Sequence, residues 1–282
     1  MQSEQTNRTY EQYDDLEDIS LKYVDISHDL RIDSLTTMRG IKSNDGALLT
    51  SDSKVSNEYV KDRASKIFRI NRSIGVGVSG DLGYIRILVD KLTHSLVKMQ
   101  SFTELTLRHK IDDEVVCPLF REYNVERAKK VGLKPVLNIF DVSAIVCAKT
   151  KDSSFVQYML TFYPQPRIYL IEDDYDAIGT GGLYAKLLMR QHLRANPTGF
   201  SANSTESNKW HALLTINEIK SFDSKTGGPT QLAILDKSDF VILNTKEVRE
   251  YYMRKRESIA SDTEDKHLGV TYDHVFSYFP EP

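Results

Sequence analysis

Thr36-Thr37-Met38-Arg39-Gly40-Ile41-Lys42-Ser43-Asn44-Asp45-Gly46-Ala47-Leu48-Leu49-Thr50-Ser51-Asp52 is the stretch on which the reading of the fold turns. Alternation and β-branched residues make Thr36–Lys42 a strand. Ser43-Asn44-Asp45-Gly46 is turn chemistry, because Asn, Asp and Gly tolerate the backbone angles of a tight reversal. Ala47–Ser51 then reads as the returning strand. The stretch is therefore a β-hairpin, and it ends on an acid, Asp52.

Working outward, Ile67–Ile70 and Ile74–Val78 form a second strand pair around Asn71-Arg72-Ser73. Gly80-Asp81-Leu82-Gly83 closes it. Ile85, Leu88, Val89, Leu92, Leu96 and Val97 follow at three- and four-residue spacing, which predicts a helix with one buried face. A charged helical region is expected near 117–132. Val136–Ala148, Phe155–Phe162 and Arg167–Ile171 read as a strand meander. Gly179-Thr180-Gly181-Gly182 leads into a helix, another helix covers about 208–221, and strands near 229–235 and 239–244 complete the set. Strands and helices come in runs rather than one for one. That excludes a doubly wound parallel sheet and favours antiparallel sheets with helices in separate layers, an α+β class.

The termini differ from this body. Residues 1–33 hold nine acids against three strong bases and few hydrophobes, a polar leader rather than core. Residues 250–282 begin charged and end in Phe276-Ser277-Tyr278-Phe279-Pro280. The expected division is a leader over 1–35, one domain over 36–249, and a tail over 250–282 that either contacts a neighbouring subunit or packs on its own domain or frays.

Composition narrows the function. The 282 residues carry a net charge of -3, with 40% hydrophobic and 27% charged residues, as in a globular protein. So balanced a charge speaks against a nucleic-acid surface. No apolar run reaches the ~18 residues of a membrane span. The N-terminus lacks the basic and apolar regions of a secretory signal. Cys117 and Cys147 have no paired spacing and read as free thiols. A reducing cytosol or nucleus is the expected compartment.

Several chemistries lack their residues. The chain has no GxxxxGK[ST], no HExxH and no GxSxG, and its seven histidines do not cluster with acids or cysteines at metal spacing. No cofactor and no metal are expected. A hydroxyl nucleophile working without histidine needs another base. A threonine at a freed N-terminus has its own α-amine, whose pKa of ~8 leaves much of it neutral.

Thr36-Thr37-x-x-Gly40-Ile41-x-x-x-Asp45-Gly46-x-x-Leu49-x-x-Asp52-x-Lys54 resembles the opening of a proteasome β-subunit, a threonine-type N-terminal-nucleophile hydrolase. Four further segments resemble the family in order: Ser65-Lys66-Ile67-x-x-Ile70, Gly77-Val78-Ser79-Gly80-Asp81, Ala177-Ile178-Gly179-Thr180-Gly181-Gly182-x-Tyr184-Ala185 and Asp223-x-x-Thr226-Gly227-Gly228. The resemblance covers about 36–245. It implies a four-layer αββα sandwich, two antiparallel sheets flanked by helices.

It also implies roles. Thr36 is preferred to Thr37 as nucleophile, because it keeps Gly40, Ile41, Gly46 and Asp52 in register with the family. Lys66 would stabilise the alkoxide and Asp52 would hold Lys66 charged. Thr180, Asp223 and Thr226 would surround the α-amine, with threonines where the family usually has serines. Gly80 N–H would donate into an oxyanion hole. Val55, Val78 and Leu82 would line the specificity pocket, favouring cleavage after hydrophobic residues. The resemblance thus implies a threonine endopeptidase exposed by self-cleavage before Thr36. Its partners would be α- and β-type subunits in stacked seven-membered rings, and its substrates unfolded polypeptides. Ser34-Leu35 stands where processed members usually have Gly before the nucleophile. The alternatives are a non-catalytic structural subunit of the same complex and a different amide hydrolase on the same fold.

Overall fold

In a computed structural model the described residues are 37–56, 61–130, 140–162, 165–195 and 198–262. The leader and residues 263–282 lie outside them.

The opening hairpin forms as its sequence dictates. β1 (Met38–Lys42) pairs antiparallel with β2 (Ala47–Ser51), Met38 facing Ser51 and Lys42 facing Ala47. The turn closes through Ser43 N–H to the Gly46 carbonyl at 2.9 Å. Gly46 must lack a side chain, since a Cβ would stand 2.4 Å from the Leu235 carbonyl oxygen. Three later strands join this sheet: β10 (Tyr175–Ile178) beside β1, β11 (Gln231–Leu235) beside β2, and β12 (Phe240–Leu243) at the edge.

The second sheet is a meander of β5 (Ile67–Asn71), β6 (Ile74–Gly80), β7 (Val142–Lys149), β8 (Phe155–Thr161) and β9 (Arg167–Leu170), antiparallel throughout. A short ribbon of β3 (Lys54–Ser56) and β4 (Lys61–Arg63) stands apart. The two five-stranded sheets pack face to face. Met38, Ala47, Leu49, Ala233, Leu235 and Phe240 of one meet Ile67, Ile145 and Cys147 of the other.

Helices cover both outer faces. On the β5–β9 sheet, α1 (Leu82–Leu96) and α2 (Glu104–Ile111) bury Ile85, Leu88, Leu92, Leu107 and Ile111 against Ile74, Val76, Val78 and Val146. Asp81 caps α1, accepting from Gly83 and Tyr84 N–H. On the other sheet, α3 (Gly182–Ala195), α4 (Thr205–Phe222) and α5 (Thr245–Asp262) bury Met189, Ala212, Leu213, Val248 and Tyr252 against Ile41, Leu48 and Leu232. Each such Leu or Ile removed from water is worth about 1.5–3 kcal/mol. The architecture is the expected four-layer αββα sandwich.

Some elements differ from the sequence reading. The helical stretch after α1 starts at Glu104, not near 117, and runs through π-helical turns at Asp112–Val116 and Arg121–Arg127. Its charged surface hides an apolar line, with Leu107, Ile111, Val115 and Leu119 buried. β10 went unread because only four residues separate its acidic lead from the glycine turn. The expected domain boundary at 249/250 falls inside α5, which packs on the sandwich through Val248 and Tyr252.

β1 also carries an inward charge. Arg39 is fully buried under α3 and α4; its Nη2 donates to the His211 carbonyl at 3.1 Å, while Nε and Nη1 have no partner among the described residues. The rings of His192 and His211 lie 5.2 Å apart. Burial lowers the His192 imidazole to about 4, with His211 and Arg39 adding. Burial lowers His211 too, Arg39 adding. These imidazoles are therefore neutral when folded, and the unfolded chain takes up their protons first. The histidines' contribution to stability should fall as pH drops below about 6.5, for His192 towards 4, while the nearby Glu218 carboxyl, raised by burial, works the other way. Urea unfolding at pH 7, 5.5 and 4.5 tests this: His192→Gln should flatten that slope, and an unchanged slope would refute it.

Candidate functional site

Asp52 follows β2, and its carboxylate organises the ends of three elements. Oδ1 accepts from the Lys66 ammonium at 2.9 Å and from Thr37 N–H at 3.0 Å. Oδ2 accepts from the N–H groups of Lys54 and Gly227, both at 3.1 Å. Asp52 is fully buried and Lys66 is 2% exposed. Burial lowers the Lys66 ammonium's pKa, while the Asp52 charge and hydrogen bond work against that drop.

Lys66 is held by β6, the partner of the strand it precedes, its carbonyl accepting from Val78 N–H at 2.9 Å. The loop after α4 reaches the same point from the other side. The Gly227 carbonyl accepts from Ser53 and Lys54 N–H, so residues 52–54 and 227 clasp each other.

A hydroxyl chain adjoins this clasp. Thr226 Oγ1 donates to Asp223 Oδ2 at 2.6 Å. A hydroxyl has one proton, so the 2.7 Å contact between Thr37 Oγ1 and Thr226 Oγ1 has Thr37 as donor. Thr37 is fully buried and Thr226 nearly so. The glycine-rich turn before α3 makes room for them. A Cβ on Gly181 would stand 1.9 Å from Thr37 Oγ1 and 3.1 Å from Thr226 Oγ1.

The structure thus brings together Asp52, Lys66, Asp223 and Thr226, four of the residues singled out in the sequence. It adds Thr37 and Gly181, neither of them among the expected site residues. Thr37 was set aside in favour of its neighbour on register alone. Thr36 itself lies outside the described residues. Thr180 is partly buried in the turn before α3. Gly80 ends β6 opposite Val142 with φ +137, a backbone that side chains disfavour, and a Cβ there would meet the Asp141 carbonyl oxygen at 2.3 Å.

Two of the expected pocket residues, Val78 and Leu82, do not share a pocket. Val78, placed at the base of a specificity pocket, is core: it points with Ile74 and Val76 towards α1 and α2. Strand alternation is the reason, since Gly75 and Gly77 take the other face. Leu82 is an exposed first residue of α1. Val55 lies on β3, and its side chain is outside the described residues. Both cysteines are free thiols, and burial pushes Cys117 up to about 12.

Residues 33–117 match the family described as proteasome subunit. The chain is 30% identical over 148 residues to a proteasome subunit alpha of Methanosphaerula palustris, covering 52% of this chain and 56% of that protein. It is 26% identical over 164 residues to a proteasome subunit alpha of Methanocaldococcus jannaschii, 58% of each. It is also 44% identical over 57 residues to that of Methanoregula boonei, 20% of this chain and 24% of the relative. The chain spans less than two thirds of the length of each of these relatives.

These relatives correct two expectations. All three are named for the alpha subunit, not for the beta subunit whose threonine chemistry the motifs resemble. The reading as a catalytic β-type subunit, and with it the threonine endopeptidase, is overturned; the non-catalytic alternative gains. The motif residues explain the error. Asp52, Lys66, Asp223 and Thr226 each hold backbone or one another in place, which is a structural task as well as a chemical one.

Proposed function

We propose that the chain is a structural, non-catalytic subunit of a proteasome-type complex. The observation that carries this reading is the similarity to three proteins named proteasome subunit alpha. The site supports it. Asp52 accepts two main-chain N–H groups on Oδ2 and a third on Oδ1 beside Lys66. The Thr37 proton is committed to Thr226, whose own goes to Asp223. The cluster ties β1, the 52–54 segment and the loop after α4 into one unit. In this reading the chain assembles with other α- and β-type subunits in stacked seven-membered rings. It shapes the chamber, and other subunits cut the polypeptide.

Intact mass of the chain purified in its complex tests the proposal. The expected mass includes residues 1–35, and a threonine-directed covalent inhibitor leaves no adduct on this chain. A chain beginning at Thr36, or an adduct on Thr36, would overturn it. Native mass spectrometry gives the assembly arm: a chain that stays monomeric beside other subunits would sink the ring assignment.

A further inference from the structure

Beside the C-terminal end of α4 lies a cavity of about 400 Å³. Lys54, Lys220, Ser221, Phe222, Ser224 and Thr226 line it together with Gly227 and Gly228, and no carboxylate is among its lining residues; the Lys54 ammonium donates to the Ser224 carbonyl and keeps two further donors. Lys220 is only 8% exposed. Its Nζ donates to Thr230 Oγ1 at 2.5 Å, and Thr230 passes its own proton to Asn217 Oδ1 at 3.2 Å. Asn217 Nδ2 is buried without a partner among the described residues.

Among the described residues Lys220 thus has one neutral partner for three donors. Asp52 is the carboxylate whose charge reaches it, but that group is paired with Lys66 at 2.9 Å. A buried ammonium without a counter-charge is costly. Burial lowers the Lys220 amine to about 8, Asp52 opposing and Lys66 adding. Two ends relieve the cost: loss of the proton, or an anion in the adjoining cavity. Near neutral pH the proton stays, and the anion is left.

We propose that this cavity binds a phosphate group, with Lys220 as its buried cation and Lys54 as a second. Phosphate suits the lining better than a carboxylate does. It brings up to two negative charges and several acceptor oxygens to two ammonium groups and the Ser224 hydroxyl, the Ser221 and Thr226 protons going to the Glu218 carbonyl and to Asp223. The volume leaves room for a small organic group on the phosphate, so the ligand proposed is a phosphate monoester. The inference does not depend on whether the chain is a structural subunit.

Acylation of lysines in the full chain at pH 8, read residue by residue by peptide mass spectrometry, tests it. Glycerol phosphate, inorganic phosphate and sodium chloride are compared at equal ionic strength. A several-fold slowing at Lys220 is expected with glycerol phosphate and less with inorganic phosphate, while exposed Lys246 is unaffected. Equal slowing with both phosphates would make the ligand the free ion and overturn the monoester assignment. Equal slowing in chloride, or at Lys246 as well, would overturn the site. Calorimetric titration of glycerol phosphate into Lys220→Met and Lys54→Gln gives a second readout. Lys220→Met should abolish the heat and Lys54→Gln weaken it. Heat retained in Lys54→Gln at full strength refutes the role of Lys54, should Lys220→Met fail to fold.

Discussion

Asp52→Ala should destabilise the fold by about 3–5 kcal/mol, the usual cost of breaking a buried ion pair from one side. The reason lies in what the carboxylate leaves behind. Lys66, 2% exposed, would keep a charge with its counter-ion gone. The N–H groups of Thr37, Lys54 and Gly227 would lose their acceptor at the same moment, and unmade hydrogen bonds to a charged partner cost about 1.5–3 kcal/mol each before relaxation. Water entering the gap offsets part of this, so the figures do not add. Asp52→Asn keeps an oxygen but drops the charge, and should fall between wild type and Asp52→Ala. Asp52→Leu with Lys66→Met removes both charges and should recover much of the loss, because an apolar pair of similar volume often replaces an ion pair without penalty. Urea denaturation of the four proteins decides this. A cost under about 1 kcal/mol for Asp52→Ala would mean that the pair is solvated and the clasp unimportant.

The same residues explain how the sequence misled about function. Asp52, Lys66, Asp223 and Thr226 occur in the family's order, and the structure does bring them together. Their convergence was legible because each sits at an element end whose type the sequence announces: a hairpin's last residue, the residue before a strand, and the loop after a helix. Their task was not legible. A carboxylate beside a lysine is the same pattern whether it activates a nucleophile or closes a clasp, and one sequence holds nothing to separate the two. Strand alternation would have corrected Val78, since Ile74, Val76 and Val78 must share a face. It would also have flagged Arg39 as an inward-facing charge between Met38 and Gly40. Lys220 gave no signal at all. It lies two residues before the end of α4, and its ammonium is buried against Thr230, ten residues on.

The second large effect comes from the space between the sheets. β6 reads Ile74-Gly75-Val76-Gly77-Val78, and its glycines face the opposite sheet. Phe240 of β12 and Met38 of β1 fill what the missing side chains leave. A Cβ on Gly75 would stand 2.1 Å from two carbons of the Phe240 ring; on Gly77 it would stand 2.3 Å from the Met38 sulfur. The two clashes are not equivalent. Methionine is flexible and can swing aside, whereas the Phe240 ring is rigid, fully buried and set among Ala47, Ala233 and Leu235. Overpacking a tight core costs about 1–3 kcal/mol, with larger values where neighbours cannot yield. Gly75→Ala should therefore fall at or above the top of that range, and Gly77→Ala near the bottom. Phe240→Leu alone should also destabilise by leaving a void. In Gly75→Ala with Phe240→Leu, the new methyl enters that void, so the double variant should be more stable than the sum of the singles by about 1 kcal/mol or more. Additive losses would show that Gly75 is set by backbone demands rather than by the ring above it. Gly77→Ala costing more than Gly75→Ala would place the tight contact between the sheets at Met38 instead.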